Sequence, residues 1–302
     1  MEESMPYHVP VMLSQCIDAL NLSNGGVYVD VTFGGGGHTA AMLQAFEGGK
    51  LYAFDQDNEA QRNEIDDSRF TLIAQNFKYL KNYLSLYKAI PVDGILADLG
   101  VSSHQFDQAE RGFSTRFNGP LDMRMDASKG QTAADLLNTI EQQPLIDLFR
   151  YYGELRNAFK TAQAIIEFRE DNPLVTTEDL KKALQSCAPR GKENKYFAQV
   201  FQAIRIELNQ ELEALKTMLE HSLDVLKPGG RLVVMSYHSL EDRLVKNFFK
   251  SGNFKGEIEK DFYGKPLVPF KMISRKPILA DSNELAVNTR ARSAKLRIAE
   301  KL

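Results

Sequence analysis

The stretch VDVTFGGGGHTAAML, residues 29–43, decides the fold. It passes from an apolar, β-branched run through four glycines into a helix-like run. The spacing Gly35-x-Gly37-x-x-Ala40, between a strand and a helix, is typical of a loop that binds the nucleotide part of a cofactor. Asp55 lies twenty residues after Gly35, where such folds place the acid that binds a ribose. The alternative is a plain glycine-rich turn, and the acids and the βαβ context argue against it.

Asp30 distinguishes between two cofactors for this loop. A carboxylate at the end of the first strand would repel the pyrophosphate of a dinucleotide such as NAD at close range. S-adenosylmethionine (SAM) has no phosphate and carries a cationic sulfonium and an ammonium group, which an acid attracts. The sequence therefore favours SAM, with NAD as the alternative that the glycine spacing alone permits.

Apolar runs along the rest of the chain predict a sheet of largely parallel strands. Further strands are expected at residues 50–55, 70–74, 93–99 and 231–236. Leucines spaced by three and four residues from Leu208 to Leu226 predict one long helix before the last of these strands. Alternation over residues 290–298 predicts a late strand with Lys295 and Arg297 on a basic outer face.

Helix signals at Thr132, Pro144 and Thr177 predict an inserted all-helical domain over residues 108–199. Residues 1–107 and 200–302 then form the α/β domain. The acidic and basic residues of the insertion are equal in number, so it is not a basic platform. We expect it to recognise the substrate.

Composition narrows the class of protein. The chain has 302 residues, 43% of them apolar, and a net charge of −3. Its acidic N-terminus and the absence of a long apolar run argue against a signal peptide and a membrane span, and predict a cytoplasmic protein with no membrane partner. Its two cysteines, Cys16 and Cys187, are too far apart in sequence to indicate a zinc motif.

A second group of candidate residues follows the strand at residues 93–99. Asp98 can bind the cofactor, because ligands of open parallel sheets lie beyond the carboxyl ends of the strands. Ser102, Ser103, His104 and Gln105 can reach the cofactor or the substrate. Alternatively, these serines only close a turn.

The segment Arg111–Asp126 combines two phenylalanines, three arginines and two aspartates. It can grip an extruded base and its backbone, or it can be a hydrophobic latch with solvated charges. Asp122 and Asp126 are too isolated in sequence to favour a metal site, and no metal is predicted. The strand at residues 231–236 leads into Tyr237 and His238, which would face the same cleft as Asp98.

Six strings together resemble the MraW/RsmH family of SAM-dependent ribosomal RNA cytosine-N4 methyltransferases. They are His8-Val-Pro-Val-Met-Leu13, Asp30-x-Thr-x-Gly-x-Gly-Gly-His38-Thr39, Asp93-Gly-Ile-Leu-Ala-Asp-Leu-Gly-Val-Ser-Ser103, Gly119-Pro-Leu-Asp-Met-Arg-Met-Asp126, Ser236-Tyr-His-Ser-Leu-Glu-Asp-Arg243 and Asn288-Thr-Arg-Ala-Arg-Ser-Ala-Lys-Leu-Arg297. The resemblance runs nearly from end to end, and strings such as GPLDMRMD are far more specific than a glycine loop. Thr115 and Leu155 depart from the family pattern within the insertion.

The resemblance implies a Rossmann-like SAM-dependent methyltransferase fold with an inserted helical domain. It implies methyl transfer to the N4 amine of a decoding-region cytidine in small-subunit (16S) ribosomal RNA, either naked or in the assembled subunit, with no DNA substrate. The cofactor contacts it implies fall on Gly36, Gly37, His38, Asp55, Phe77, Asp98 and Gln105.

The amine chemistry limits the catalytic residues. The N4 lone pair is delocalised into the ring, so an enzyme must accept its N–H bonds and align it with the methyl–sulfur bond. The candidate acceptors are Ser102, Ser103, Asp122 and His238. The rings that can stack on the base belong to Tyr237, Phe113 and Phe117, and RNA would be attracted by Arg111, Arg116, Arg124, Arg290, Arg292, Lys295 and Arg297.

Three alternatives stay open at this point. An NAD-dependent oxidoreductase is supported by the glycine spacing and Asp55. A noncatalytic ribosome-assembly factor would keep SAM as a structural ligand, and a small-molecule methyltransferase would leave the insertion without a task.

Overall fold

A computed structural model describes residues 10–302, and its strands form one seven-stranded sheet. The strands are β1 (Val27–Asp30), β2 (Lys50–Phe54), β3 (Phe70–Ile73), β4 (Val92–Asp98), β5 (Leu226–Ser236), β6 (Phe270–Met272) and β7 (Lys295–Lys301). Their order is β3-β2-β1-β4-β5-β7-β6. Strands β1 to β5 pair in parallel, and β7 runs antiparallel between β5 and β6. The predicted Rossmann-like α/β fold is confirmed, and the three-residue β6 is a strand that the sequence pattern missed.

Twelve α-helices complete the described part of the chain. They are α1 (Leu13–Leu20), α2 (Gly37–Ala45), α3 (Leu80–Leu86), α4 (Ser103–Asp107), α5 (Ala133–Thr139), α6 (Gln142–Tyr151), α7 (Ala158–Asp171), α8 (Thr177–Leu184), α9 (Glu193–Asn209), α10 (Glu211–Val225), α11 (Ser239–Ser251) and α12 (Ser282–Val287). Among residues 10–302, none of these helices combines the length and the apolarity needed to cross a bilayer. His8 and Val9 of the first family string lie outside the described residues.

The chain divides into two compact units. The sheet unit comprises residues 10–100 and 212–302 of the described chain, and the helical unit is Val101–Glu211. The helical unit begins earlier and ends later than the predicted 108–199. At its end the reason is α9, which buries Val200, Phe201 and Ile204 in the same apolar cluster as α5, α6 and α7.

Both faces of the sheet are buried, as the continuous apolar strands predict. Neighbouring residues of one strand enter different clusters: Val29 and Ile95 pack on one face, and Tyr28 and Leu96 on the other. Helices cover the two faces, so the carboxyl ends of the strands are left to form a site.

The predicted single helix from Leu208 to Leu226 is wrong. Gln210 has a left-handed backbone (φ 52°), which ends α9 and starts α10, and Leu226 is already the first residue of β5. The leucine spacing continues across this break because each helix buries its own apolar stripe. Next to this break, the Asn209 side chain accepts the N–H of Met125 through Oδ1 and donates from Nδ2 to the carbonyl of Met123.

The late strand exists, but its basic outer face does not. Arg297 is only 6% exposed, and its Nε donates to Asp242 Oδ1 at 2.6 Å. Lys295 Nζ lies 3.2 Å from the other oxygen of the same carboxylate. Helix α11 supplies Asp242, so both charges are compensated within the sheet unit.

Candidate active site

Three aspartates stand at the carboxyl ends of neighbouring strands in the sheet unit. Asp30 ends β1, Asp98 ends β4, and Asp55 follows β2. Since β2, β1 and β4 are adjacent and parallel, their carboxyl ends meet at one edge of the sheet. Asp55 and Asp98, which the sequence analysis names as cofactor contacts, therefore lie at the same edge of the sheet.

The glycine loop, Val31–Gly37, connects β1 to α2. Gly34 and Gly36 adopt left-handed backbones (φ 53° and 76°), which glycine permits at no steric cost. A Cβ on Gly36 would lie 3.1 Å from the Phe33 ring, whereas a Cβ on Gly35 would meet no atom within 4 Å. Around Gly35 the described chain therefore leaves open space.

Asp30 holds the glycine loop. Its carboxylate is completely buried and accepts the Thr32 N–H at 3.0 Å and the Thr39 hydroxyl at 2.8 Å. The sequence predicts that this charge lies close to a ligand. The structure instead directs it to the loop backbone, where it still adds negative potential to the site.

Asp55 also binds the glycine loop, from the side of β2. Its two oxygens accept the backbone N–H groups of Gly34 and Asp57, both at 2.8 Å. Burial is the largest influence on its pKa and raises it to about 6, and the neighbouring charges of Asp57 and Asp30 act in the same direction. Each carboxylate oxygen keeps a lone pair for a further donor, such as a ribose hydroxyl.

Asp98 is held by residues from three segments. The Tyr237 hydroxyl donates to its Oδ1 at 2.7 Å, and its own N–H donates to the Thr32 hydroxyl at 2.7 Å. His38 Nδ1 is 3.9 Å from Oδ2, while Nε2 of that ring bonds the Val11 carbonyl at 3.1 Å. Burial raises the pKa of Asp98 to about 6, against the opposing effects of His38 and Tyr237.

This arrangement suits a cationic ligand. No lysine or arginine among residues 10–302 forms an ion pair with Asp30, Asp55 or Asp98. Asp30 is buried and Asp55 and Asp98 are half-buried, and carboxylates withdrawn from water without a cation are costly, so a ligand with a positive charge would offset that cost. The sulfonium and ammonium groups of SAM fit this requirement, and a pyrophosphate does not.

Phe77 lies at the exit of β3, half-buried and packed against the core of the sheet unit. It begins a short 3₁₀ turn, and Asn76 caps that turn by accepting the N–H of Lys78. The Asn76 amide also donates to Gln56, directly after Asp55, which joins the exits of β2 and β3. Covering of a cofactor ring by Phe77 stays a prediction.

Ser102 and Gln105 form the N-terminal capping box of α4 in the helical unit. The Ser102 hydroxyl accepts the Gln105 N–H at 3.2 Å, and the Gln105 side chain accepts the Ser102 N–H at 3.0 Å. Both groups are therefore engaged in starting a helix. Within residues 10–302, the Ser103 hydroxyl makes no hydrogen bond.

The arginine–aspartate loop, Arg111–Asp126, is internally compensated. Asp122 binds Arg124 in a bidentate pair, with Nε at 3.0 Å and a terminal nitrogen at 2.7 Å. Arg111 is buried, donates to the carbonyls of Arg124 and Met125, and lies over the ring of Phe113. Asp126 pairs with Lys129. Asp122 and Asp126 are thus committed to other partners, and the charges of Asp122, Arg124 and Asp126 are paired within the protein, whereas the latch alternative expected them to be solvated.

His238 is the N-cap of α11. Its Nδ1 accepts the Glu241 N–H at 3.4 Å, and Glu241 returns a bond to the backbone at the same turn. A ring that caps a helix is held in one orientation, which favours a structural role over proton transfer. The Tyr237 hydroxyl donates its hydrogen bond to Asp98.

The groups predicted to contact RNA differ in availability. Of the three rings, Phe113 is buried, Tyr237 is half-buried and Phe117 is 43% exposed. Four of the basic residues are engaged within the protein: Arg111, Arg124, Lys295 and Arg297. The other three are Arg116 and Arg292, which are exposed, and Arg290, which is half-buried. The predicted basic surface is therefore smaller than the sequence suggests.

Sequence reasoning missed the residues that support the aspartates. Thr32 binds Asp30 and Asp98 at once, and Thr39 completes the shell of Asp30. The spacing Asp30-x-Thr32 is a turn signal in which a carboxylate accepts the N–H two residues on, and it was available in the sequence. Tyr237 was predicted as a stacking ring, and its bond to Asp98 had no sequence signal.

The chain is similar over nearly its whole length to one family of known proteins. Residues 5–302 match the sequence profile described as the MraW methylase family. The chain is 52% identical to the ribosomal RNA small subunit methyltransferase H of Phocaeicola vulgatus, over 99% of both chains. It is 55% identical to the protein of the same name from Cytophaga hutchinsonii, over 98% of this chain and 99% of the relative. For that of Flavobacterium psychrophilum the identity is 56%, over 96% and 100%.

Proposed function

The chain belongs to the MraW methylase family, and from that premise we propose that it methylates small-subunit ribosomal RNA with SAM as the methyl donor. The acceptor is the N4 amine of one cytidine in the decoding region. This substrate places the reaction in the cytoplasm, with the ribosomal RNA or the subunit as partner.

The single observation that carries this proposal is the cation-free acidic edge of the sheet. Asp55 and Asp98 are half-buried, accept hydrogen bonds from neutral donors, and form no ion pair with a lysine or arginine of the described chain. A cationic methyl donor supplies the missing charge. An NAD-dependent reaction would bring a pyrophosphate to the same place and add to the repulsion.

The cysteines favour an amine acceptor over a ring carbon. Methylation of a cytosine at carbon 5 needs a thiolate nucleophile. Cys16 is fully buried, and this burial raises the pKa of its thiol well above the ordinary value. Cys187 is 5% exposed and belongs to the core of the helical unit. Neither thiol is prepared for attack on a base.

Ser103 is the preferred candidate for accepting an N4 proton. Of the four predicted acceptors, Ser102, Asp122 and His238 hold other groups of the protein, and Ser103 has a hydroxyl without a partner in the described chain. Ser103→Ala should lower kcat while leaving SAM affinity unchanged. Equal loss in Ser102→Ala, which removes the cap, would favour a structural explanation.

The proposal is tested by incubating the protein with tritiated SAM and small ribosomal subunits from cells that lack it. Digestion and mass spectrometry of the nucleosides should find N4-methylcytidine at one site. Parallel reactions with naked ribosomal RNA identify the form of the substrate. SAM binding without any methyl transfer would instead support a noncatalytic assembly factor, and undiminished transfer after EDTA treatment of RNA that folds without magnesium would support a metal-free chemical step.

A further inference from the structure

A hairpin between α11 and β6 presents two aromatic rings to solvent. Phe262 and Tyr263 are 97% and 90% exposed, more than any other large hydrophobic residue of the described chain. Single exposed apolar residues are common, but two adjacent, almost completely exposed rings on an ordered turn call for an explanation. Neither residue belongs to the sheet edge or to the loops discussed above.

The turn that carries the rings is closed by its own backbone. Asp261 accepts the N–H groups of Tyr263 and Lys265 through its side chain, at 2.9 and 2.8 Å. Its main chain exchanges bonds with Gly264 and Lys265, and Gly264 takes the positive φ (81°) that the turn requires. The rings are therefore held outward by a preformed turn, so binding would order little additional chain.

The hairpin comprises residues 257–269, and its base is attached to the core of the sheet unit. Leu267 donates to the carbonyl of Glu259, and Asn253 donates to that of Glu257. Just before the hairpin, the Phe254 ring stacks on buried Phe248 at 5.1 Å. The tip thus stands on a fixed support of the sheet unit.

Two lysines beside the tip can contact an anionic partner. Lys260 and Lys265 flank the four-residue turn, and both are exposed. Neither forms an ion pair among residues 10–302. Glu259 and Asp261 both adjoin Lys260 in sequence, and the Asp261 carboxylate already accepts two N–H groups. Glu257 and Glu259 lie towards the base of the hairpin.

We propose that the 257–269 hairpin is a stacking element for unpaired bases of the RNA substrate. The two rings lie at 88° with centroids 5.5 Å apart, so they offer faces in two directions. Aromatic faces next to lysines are the recurrent means of holding single-stranded RNA, because every base has a π-face and the backbone is anionic. The inference rests on the proposed function and names a contact surface for its substrate.

The chain contains no tryptophan, which allows a direct test. Phe262→Trp places the only indole of the protein at the tip. Titration with unmodified small-subunit ribosomal RNA should quench its emission and saturate at the concentration where filter binding shows half-occupancy. Bound RNA without any change in emission would overturn the proposal.

Substitutions then separate stacking from simple apolar contact. Removing both rings, in Phe262→Ala with Tyr263→Ala, should weaken RNA binding about tenfold or more. Phe262→Tyr with Tyr263→Phe should restore it, and two leucines should not. Restoration by leucine would show that apolar contact, and not stacking on a base, carries the effect, and would overturn the proposal. Leu86→Ala removes an apolar side chain that is 72% exposed on α3, and should change nothing.

SAM binding and methyl transfer by the unsubstituted protein are measured in the same series. If the unsubstituted protein methylates the RNA and the double alanine variant binds it equally well, the hairpin inference is wrong and the proposed function stands. If the unsubstituted protein transfers no methyl group, the proposed function itself has failed.

Discussion

The glycine loop and the arginine–aspartate loop differ in how their charges are balanced. In the glycine loop region, Asp55 and Asp98 accept hydrogen bonds from neutral donors and have no lysine or arginine partner in the described chain. In the other loop, Asp122 has Arg124. Both loops contain strings typical of the family. The aspartates near the glycine loop remain available to a cationic ligand, whereas Asp122 of the other loop stabilises the fold through its ion pair. A family string thus marks either function or structure, and the ion pairs distinguish the two.

Breaking the Asp122–Arg124 pair should have the largest effect, and it should fall on stability. Asp122→Ala leaves a guanidinium that is only 20% exposed without its carboxylate, which should cost about 3 kcal/mol of the free energy of unfolding. Urea unfolding measures this loss, and SAM affinity should not change. In the same unit, Asp147→Ala breaks the more exposed pair with Arg150 and should cost less than about 1 kcal/mol. Equal losses in both variants would contradict the comparison.

The opposite behaviour is expected at Asp98. Asp98→Asn keeps an acceptor for the Tyr237 hydroxyl but removes the charge, so SAM affinity should fall about 30-fold, the equivalent of roughly 2 kcal/mol. The protein without ligand should be no less stable, because a half-buried carboxylate whose ionisation is unfavourable is removed. Calorimetric titration and thermal unfolding give the two quantities. Asp224→Asn, at an exposed pair with Lys81, is the control and should alter neither.

The parts that sequence could predict are those that depend on local pattern. The strands follow from apolar runs, and the glycine loop follows from spacing, because each is determined by neighbours in the chain. Partners distant in sequence were not predictable: Tyr237 meets Asp98 and Arg297 meets Asp242 only after the sheet has formed. For the same reason the basic strand looked like an RNA surface, and the break at Gln210 was hidden by leucines on both sides.

Gly35→Ala sharpens the view of the glycine loop with a smaller effect. Nothing in the described chain lies within 4 Å of the added methyl group, so thermal unfolding without ligand should be unchanged. A cofactor that approaches the loop backbone would meet this methyl group, and SAM affinity should fall about tenfold, or roughly 1.4 kcal/mol. Gly36→Ala is the contrasting variant, because its positive φ and the nearby Phe33 ring predict a loss of stability as well. Unchanged SAM affinity in Gly35→Ala would place the cofactor elsewhere.

The smallest effect is a pH dependence in which affinity and stability move in opposite directions. The pKa values of Asp55 and Asp98 are raised to about 6, so the folded protein binds more protons than the unfolded chain between about pH 4 and 6. The contribution of these groups to stability is therefore present at low pH and is lost as the pH rises through 6.

SAM, being cationic, prefers the ionised carboxylates, so its affinity should fall severalfold, by roughly 1 kcal/mol, from pH 7 to pH 5. Asp98→Asn should flatten both profiles. Asp122 lies in the arginine–aspartate loop and does not bind the cofactor in this proposal, so Asp122→Ala should leave the pH profile of SAM affinity as it is in the unsubstituted protein. A pH profile of SAM affinity that is unaltered in Asp98→Asn would show that the acidic edge does not hold the cofactor.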